Sequence, residues 1–79
     1  MDQIRLDVMA ILSALAETGG ESPKVLLYLA LDHSITRYER AEFVLLRGGL
    51  ARAFGGKIYL TDLGREAGEN LNAALQEGL

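Results

Sequence analysis

SITRYERAEFVLLRGGLARAFGGKIYLTDLGRE, residues 34–66, reads as a helix, a tight hairpin and a second helix. Thr36 and Glu39 form a T-x-x-E capping box, in which the Thr36 hydroxyl accepts from the amide three residues on and the Glu39 carboxylate reaches back to the Thr36 amide. The spacing therefore predicts a helix starting at Arg37. Gly48-Gly49 closes it, because glycine adopts the left-handed conformation that ends a helix without a Cβ clash. Gly55-Gly56 suits a two-residue hairpin turn. With that turn, Phe54 faces Lys57, Ala53 faces Ile58, Arg52 faces Tyr59 and Ala51 faces Leu60. Alternation then sends Ala51, Ala53, Ile58 and Leu60 inward and Arg52, Phe54, Lys57 and Tyr59 outward. Thr61 is the predicted N-cap of a last helix running from Asp62 to about Gln76.

The order of pieces here is a helix, Gly49-Leu50, a short hairpin about Gly55-Gly56, then Leu60-Thr61-Asp62-Leu63-Gly64-Arg65. It resembles the second half of a winged helix-turn-helix domain. The resemblance implies a mainly α fold: a three-helix core, a two-stranded β-hairpin wing and a C-terminal helix, with residues 1–79 as one winged-helix domain. Winged helices bind DNA, RNA or other proteins, so the fold alone does not settle function. In helix-turn-helix domains the second helix of the motif enters the major groove with its N-terminal residues on base edges. On that basis Arg37 and Arg40 are the expected base readers, because an arginine fork bonds bidentately to guanine. Thr36 and Tyr38 lie beside them at the helix start, and Tyr38 is assigned to the core. Arg47, Arg52 and Lys57 are the expected phosphate contacts, and Tyr59 shares the basic outer face of the wing, suited to packing on sugar. The resemblance implies a small DNA-binding transcriptional regulator, expected as a homodimer, with helix 1, the last helix or neither as its interface.

A second reading comes from the apolar residues. Tyr38, Ala41 and Leu45 share one face of the third helix, assigned to the core. Phe43, Leu46 and Leu50 form another stripe, and Phe43 stands between Arg40 and Arg47 on the face otherwise turned to DNA. Glu42 falls seven positions before Gly49, where relatives of this fold usually carry an aliphatic residue. Either helix 3 is rotated and the Phe43/Leu46 stripe is core, or the stripe meets another protein. In the latter case the domain is an interaction or assembly module that does not bind DNA, with Phe43, Leu46, Leu71 and Leu75 as its contact residues.

Towards the N-terminus, Ile4, Val8, Ile11, Leu12 and Leu15 recur at helical spacing from Asp2 to Thr18, and Gly19-Gly20 stops that helix. Leu6, Met9 and Ala16 lie off the stripe, as a wide core face or as a partner face. Ser22-Pro23 opens a second helix, Ser as N-cap and Pro at the first helical position. The run Val25–Leu31 is apolar all round and is expected to be the most buried element. His33 ends that helix, and Ile35 is expected to plug into the core. On the C-terminal side, Leu63, Ala67, Leu71, Ala74 and Leu75 give the last helix an apolar side. Gly64 and Gly68 each weaken it by ~1 kcal/mol relative to Ala but permit close backbone approach. Gly78-Leu79 is expected to fray.

Composition bounds the rest. A chain of 79 residues makes one domain, and 49% hydrophobic content is more than one small core readily hides, which points to an oligomer or a partner surface. There is no cysteine and a single histidine, so disulfides, thiolate metal sites and histidine clusters are excluded. No cofactor is implied. The start MDQIRLD lacks the basic character of a signal peptide and no apolar run reaches the ~18–20 residues of a membrane span, so the expectation is a cytoplasmic protein without membrane contact. Neither a phosphate-cradling glycine loop nor a nucleophile motif is present. Asp2/Asp7 and Glu39/Glu42 are carboxylate pairs expected on solvated helix ends, and an enzyme is not expected. The net charge of −3 is uneven: +2 from Thr36 to Glu66 and −5 elsewhere. Positive charge is concentrated in the segment that the resemblance places on DNA.

Overall fold

The computed structural model describes residues 2–77, so the expectation for Gly78-Leu79 lies outside the described residues. The chain is mainly helical with a small antiparallel sheet. It runs α1 (Gln3–Glu17), β1 (Glu21–Pro23), α2 (Lys24–Leu29), α3 (Ile35–Arg47), β2 (Ala51–Phe54), β3 (Lys57–Leu60) and α4 (Asp62–Glu77). The sheet order is β1-β3-β2.

In α1, Asp2 is the N-cap, its carboxylate accepting from the Ile4 amide at 3.2 Å. Ile11, Leu12 and Leu15 carry its stripe into the core. The helix closes when the Gly20 amide donates back to the Leu15 carbonyl at 2.8 Å, across Gly19 at φ +82°.

The third strand was not foreseen. Ser22 does not cap a helix. It lies buried in β1 opposite Ile58, between Glu21↔Tyr59 and Pro23↔Lys57. The ladder extends at both ends, Leu60 N–H donating to Gly20 O at 2.8 Å and Lys24 N–H to Gly56 O at 2.9 Å. Pro23 is tolerated because β1 is an edge strand, where one missing amide breaks no inner ladder. Pro23 is then the N-cap of α2, without a side-chain hydrogen bond.

These three residues of strand shorten α2 and change its exposure. Only Leu27 within it is buried, with Leu31 just beyond, while Val25, Leu26 and Leu29 are more than half exposed. The expectation that this is the most buried element therefore fails: a helix of six residues presents one side to the core and has no second layer over the other. Tyr28 packs edge-on against Tyr38 with ring centroids 4.8 Å apart.

The start of α3 also differs from expectation. Ser34, not Thr36, is the N-cap, its hydroxyl accepting from the Arg37 amide at 3.2 Å. Ile35 becomes the first helical residue and stands 53% exposed at the rim instead of filling the core. Tyr38, Ala41 and Leu45 are all buried, so the rotated alternative, with Phe43 and Leu46 as core, is excluded. At the other end the Gly49 amide donates to Leu46 O and the Leu50 amide to Leu45 O, with Gly49 at φ +73°. This is the Schellman arrangement that two consecutive glycines favour.

The hairpin has the expected register, Ala51↔Leu60, Arg52↔Tyr59, Ala53↔Ile58 and Phe54↔Lys57. Gly55 and Gly56 both have positive φ, as a type I′ turn demands. Ala51, Ile58 and Leu60 are buried, but Ala53 is exposed because the strand runs past the edge of the core there.

In α4 the two glycines are close approaches. A Cβ on Gly64 would overlap the Leu50 carbonyl, and one on Gly68 would meet Leu12 O and the Ala16 methyl at 3.1 Å. Leu71 packs against the core while Leu75 is exposed. Ser13 donates to Asn72 Oδ1 at 2.6 Å, tying α1 to α4.

Candidate functional site

The outward face of α3 carries basic, acidic, hydroxyl and aromatic side chains together. Thr36, Glu39, Arg40, Phe43 and Arg47 are all exposed on it. Phe43 is 61% exposed, with the Arg47 guanidinium 5.8 Å from its ring centroid. A hollow of about 450 Å³ lies on one side of the ring, lined by Ile4 of α1 and by Thr36, Glu39, Arg40, Phe43 and Val44. A second of about 330 Å³ lies on the other, where Lys24 and Tyr28 of α2 meet Tyr38, Glu39, Glu42, Phe43 and Leu46. Glu39 and Phe43, which line both hollows, form the ridge between them.

The structure separates the expected base readers. Arg37 is turned back into the protein. Its Nη2 donates to Asp7 Oδ1 at 2.7 Å, its Nε to Asp7 Oδ2 at 3.2 Å, and its Nη1 to Asp32 Oδ2 at 3.3 Å. The reason is the environment of Asp7. This carboxylate is not on a solvated helix end: it is 3% exposed, on the same stripe of α1 as Ile4 and Ile11, and needs a cation. Gln3 Nε2 adds a third donor at 2.8 Å. The Arg37 hydrogen bonds hold the Asp7 carboxyl below its ordinary value of 3.8, against the opposing effect of burial. Arg40 has no such partner. Among the described residues no carboxylate lies within 4 Å of Arg40, Arg47 or Arg52.

Glu42 is likewise removed from solvent. It is half-buried, pairs with Lys24 Nζ at 2.9 Å and accepts from the Tyr38 hydroxyl at 3.4 Å. This explains how a carboxylate is accommodated near the core at that position. Burial, and secondarily the Glu42 charge, push the Tyr38 phenol well above its ordinary value of 10.0.

On the β2–β3 hairpin, Arg52 and Lys57 are exposed and Tyr59 is half-buried. Lys57 stands 3.9 Å from the exposed Glu21 carboxylate, a separation at which a surface pair contributes little. Phe54 at the hairpin tip is 80% exposed. Of the proposed protein-contact residues, Phe43, Leu46 and Leu75 are exposed, and Leu71 is partly withdrawn into the core. The sequence reading missed the apolar patch of Val25, Leu26 and Leu29 on α2. It also missed Asp7, whose place on an apolar stripe was a visible signal of a buried carboxylate.

No protein-family model, curated protein or solved structure matches this chain significantly. Among the described residues no helix is long and apolar enough to cross a membrane, and no three His, Asp or Glu side chains converge as a metal site would need.

Proposed function

We propose that this chain is a winged helix-turn-helix domain that binds double-stranded DNA as a small transcriptional regulator, with α3 in the major groove and the β2–β3 wing on the backbone. The carrying observation is a group of cations on α3 and the hairpin that the fold leaves without carboxylate partners among the described residues, as it also leaves Arg5 of α1 and Arg65 of α4. Arg40 and Arg47 on α3 and Arg52 on β2 have no carboxylate within 4 Å among the described residues, and Lys57 is only loosely engaged at 3.9 Å. Such cations meet phosphate without first breaking an internal pair. Lys24 and Arg37, by contrast, hold elements together. The order of elements supports the same reading: α2 and α3 are joined by a five-residue connection, 30–34, and the hairpin follows α3 directly. In this reading Arg40 takes the base-reading role, Arg47, Arg52 and Lys57 hold phosphates, Thr36 and Tyr59 flank them, and Arg37 fixes α3 against α1.

The test is selection of binding sites from a random duplex pool at low and moderate salt, with oligomeric state measured in the same buffers. The expected result is a retained sequence and a log K against log [salt] slope of roughly −3 to −4 per domain, for about four phosphates neutralised. A dimer with two symmetric half-sites would add the geometry of a regulator. Absence of binding at low salt would overturn the reading.

A second reading, an interaction module that does not bind DNA, is favoured by the apolar exposure of Val25, Leu26 and Leu29 on α2 together with Phe43 and Leu46 on α3. It expects self-association or a protein complex that Val25→Ser with Leu29→Ser disrupts, and no salt-sensitive DNA binding.

A further inference from the structure

We propose that Phe43 is a specificity-determining residue that makes α3 a reader of thymine, through packing of its ring on the thymine 5-methyl group. The inference rests on the DNA-binding reading and names what that site selects.

Three observations carry it. Phe43 is 61% exposed although α3 has a complete core face in Tyr38, Ala41 and Leu45, so the ring is not there to fill the interior. It lies three residues after Arg40 and four before Arg47, which places all three on one side of the helix. And together with Glu39, one turn before it, it separates two hollows.

The chemistry of the groove then selects the partner. Base edges in the major groove present hydrogen-bond donors and acceptors, with one apolar group among them, the C5-methyl of thymine. A phenyl ring set against any other edge would bury a polar group without a partner. Against the methyl it removes apolar surface from water on both sides. Arg47, 5.8 Å from the ring centroid, restricts the ring and sets a positive charge beside it for the flanking phosphate. Arg40 sits about 4.5 Å along the helix axis from Phe43, at 1.5 Å per residue, close to the 3.4 Å separation of neighbouring bases. The site expected is therefore a thymine at or next to the base step where Arg40 meets guanine.

The experiment uses duplexes selected by the full chain, in which each thymine in turn is replaced by deoxyuridine, so that only the methyl is lost. The wild-type chain is expected to bind about fourfold more weakly when the contacted thymine is replaced, the effect of one buried methyl group. Phe43→Ala is expected to bind the thymine and uracil duplexes equally, and Phe43→Leu to keep part of the discrimination. Because the residue is exposed, both variants should keep the wild-type circular dichroism spectrum and melting temperature. Discrimination retained in Phe43→Ala, or no discrimination by the wild type at any position, overturns the assignment of Phe43 while leaving DNA binding standing. Failure of the wild type to bind any duplex overturns both.

Discussion

The Thr61 hydroxyl donates to the Gly49 carbonyl oxygen at 2.6 Å, joining the end of α3 to the start of α4. The Thr61 hydroxyl oxygen in turn accepts from the Gly64 amide at 3.1 Å, which caps α4, and the Thr61 amide donates to Leu50 O at 3.0 Å. One residue thus fixes the exit of the proposed reading helix, the root of the hairpin and the entry of the last helix. Thr61→Val keeps the shape and removes the hydroxyl, leaving the Gly49 carbonyl and the Gly64 amide to find water. The expected loss is about 1–2 kcal/mol, measured by chemical denaturation. A smaller loss than for an exposed control such as Thr36→Val would show that the clamp is not structural.

Gly64 completes that clamp by letting α4 approach the chain at Leu50. A methyl group there would overlap the Leu50 carbonyl oxygen, and the backbone at Leu50 is already held by Thr61. Gly64→Ala is therefore expected to destabilise by about 3 kcal/mol or more, in spite of the ~1 kcal/mol that alanine adds to helix propensity. Gly68→Ala meets Ala16 and Leu12 at 3.1 Å and should be milder. Equal melting temperatures for the two variants would refute this ordering.

Asp7 makes stability depend on pH with a definite sign. Arg37 lowers its folded value below the ordinary 3.8. A depressed carboxyl stabilises the fold fully above the unfolded value and loses that contribution as pH falls through the folded one. Asp7→Asn should lower stability by about 1–2 kcal/mol near neutral pH. The gap between variant and wild type should narrow below about pH 4. Thermal melts of both proteins at neutral and acid pH check this, and a gap that widens in acid would mean that the pair has another role.

Asp32 and His33 are held at φ +55° and +60°, in the region that disfavours residues with a Cβ. Asp32 compensates in part by meeting Arg37 at 3.3 Å, whereas the His33 side chain is exposed. The chain must turn sharply here, since Leu31 is buried and Ser34 already caps α3. His33→Gly should stabilise by about 0.5–1 kcal/mol, the relief of left-handed strain outweighing the extra entropy of the unfolded glycine. Denaturant midpoints measure the difference, and a loss of stability would mean that the imidazole makes a contact of its own.

The second half of the chain was legible because local rules there agree with the tertiary structure. Gly48-Gly49, Gly55-Gly56 and Thr61 each stop, turn or cap the chain by backbone chemistry that short-range sequence carries. Tyr38, Ala41 and Leu45 keep one helical period. The first half was less legible because long-range pairing decided it. Ser22-Pro23 carries a genuine helix-start signal, but β3 offers Ser22 a ladder, and the strand wins. Thr36 and Glu39 satisfy the capping-box pattern, yet Ser34 caps the helix two residues earlier. Of the candidate site, the shared face of Arg40, Phe43 and Arg47 followed from spacing alone. That Arg37 leaves the site could be read only by noticing Asp7 on an apolar stripe 30 residues away.

Arg37 and Arg40 were both expected as base readers from the sequence and differ sharply in the structure. Arg37→Ala strips a buried carboxylate of its bidentate partner, so its first effect should be on stability, with a melting temperature clearly below that of the other α3 arginine variants. Arg40→Ala removes an unpaired side chain and should shift stability by no more than about 0.5 kcal/mol. It should weaken binding to a selected duplex by roughly ten- to a hundredfold and relax preference at one position, as loss of a bidentate base contact does. Arg37→Lys separates charge from geometry. A lysine can neutralise Asp7 but cannot reproduce the two-pronged contact, so it should recover only part of the lost stability. Melting curves and binding to the same duplex, run on all three variants, give the comparison. If Arg37→Ala melted like wild type while losing sequence preference, Arg37 would be the base reader and its pairing with Asp7 would be one that DNA displaces.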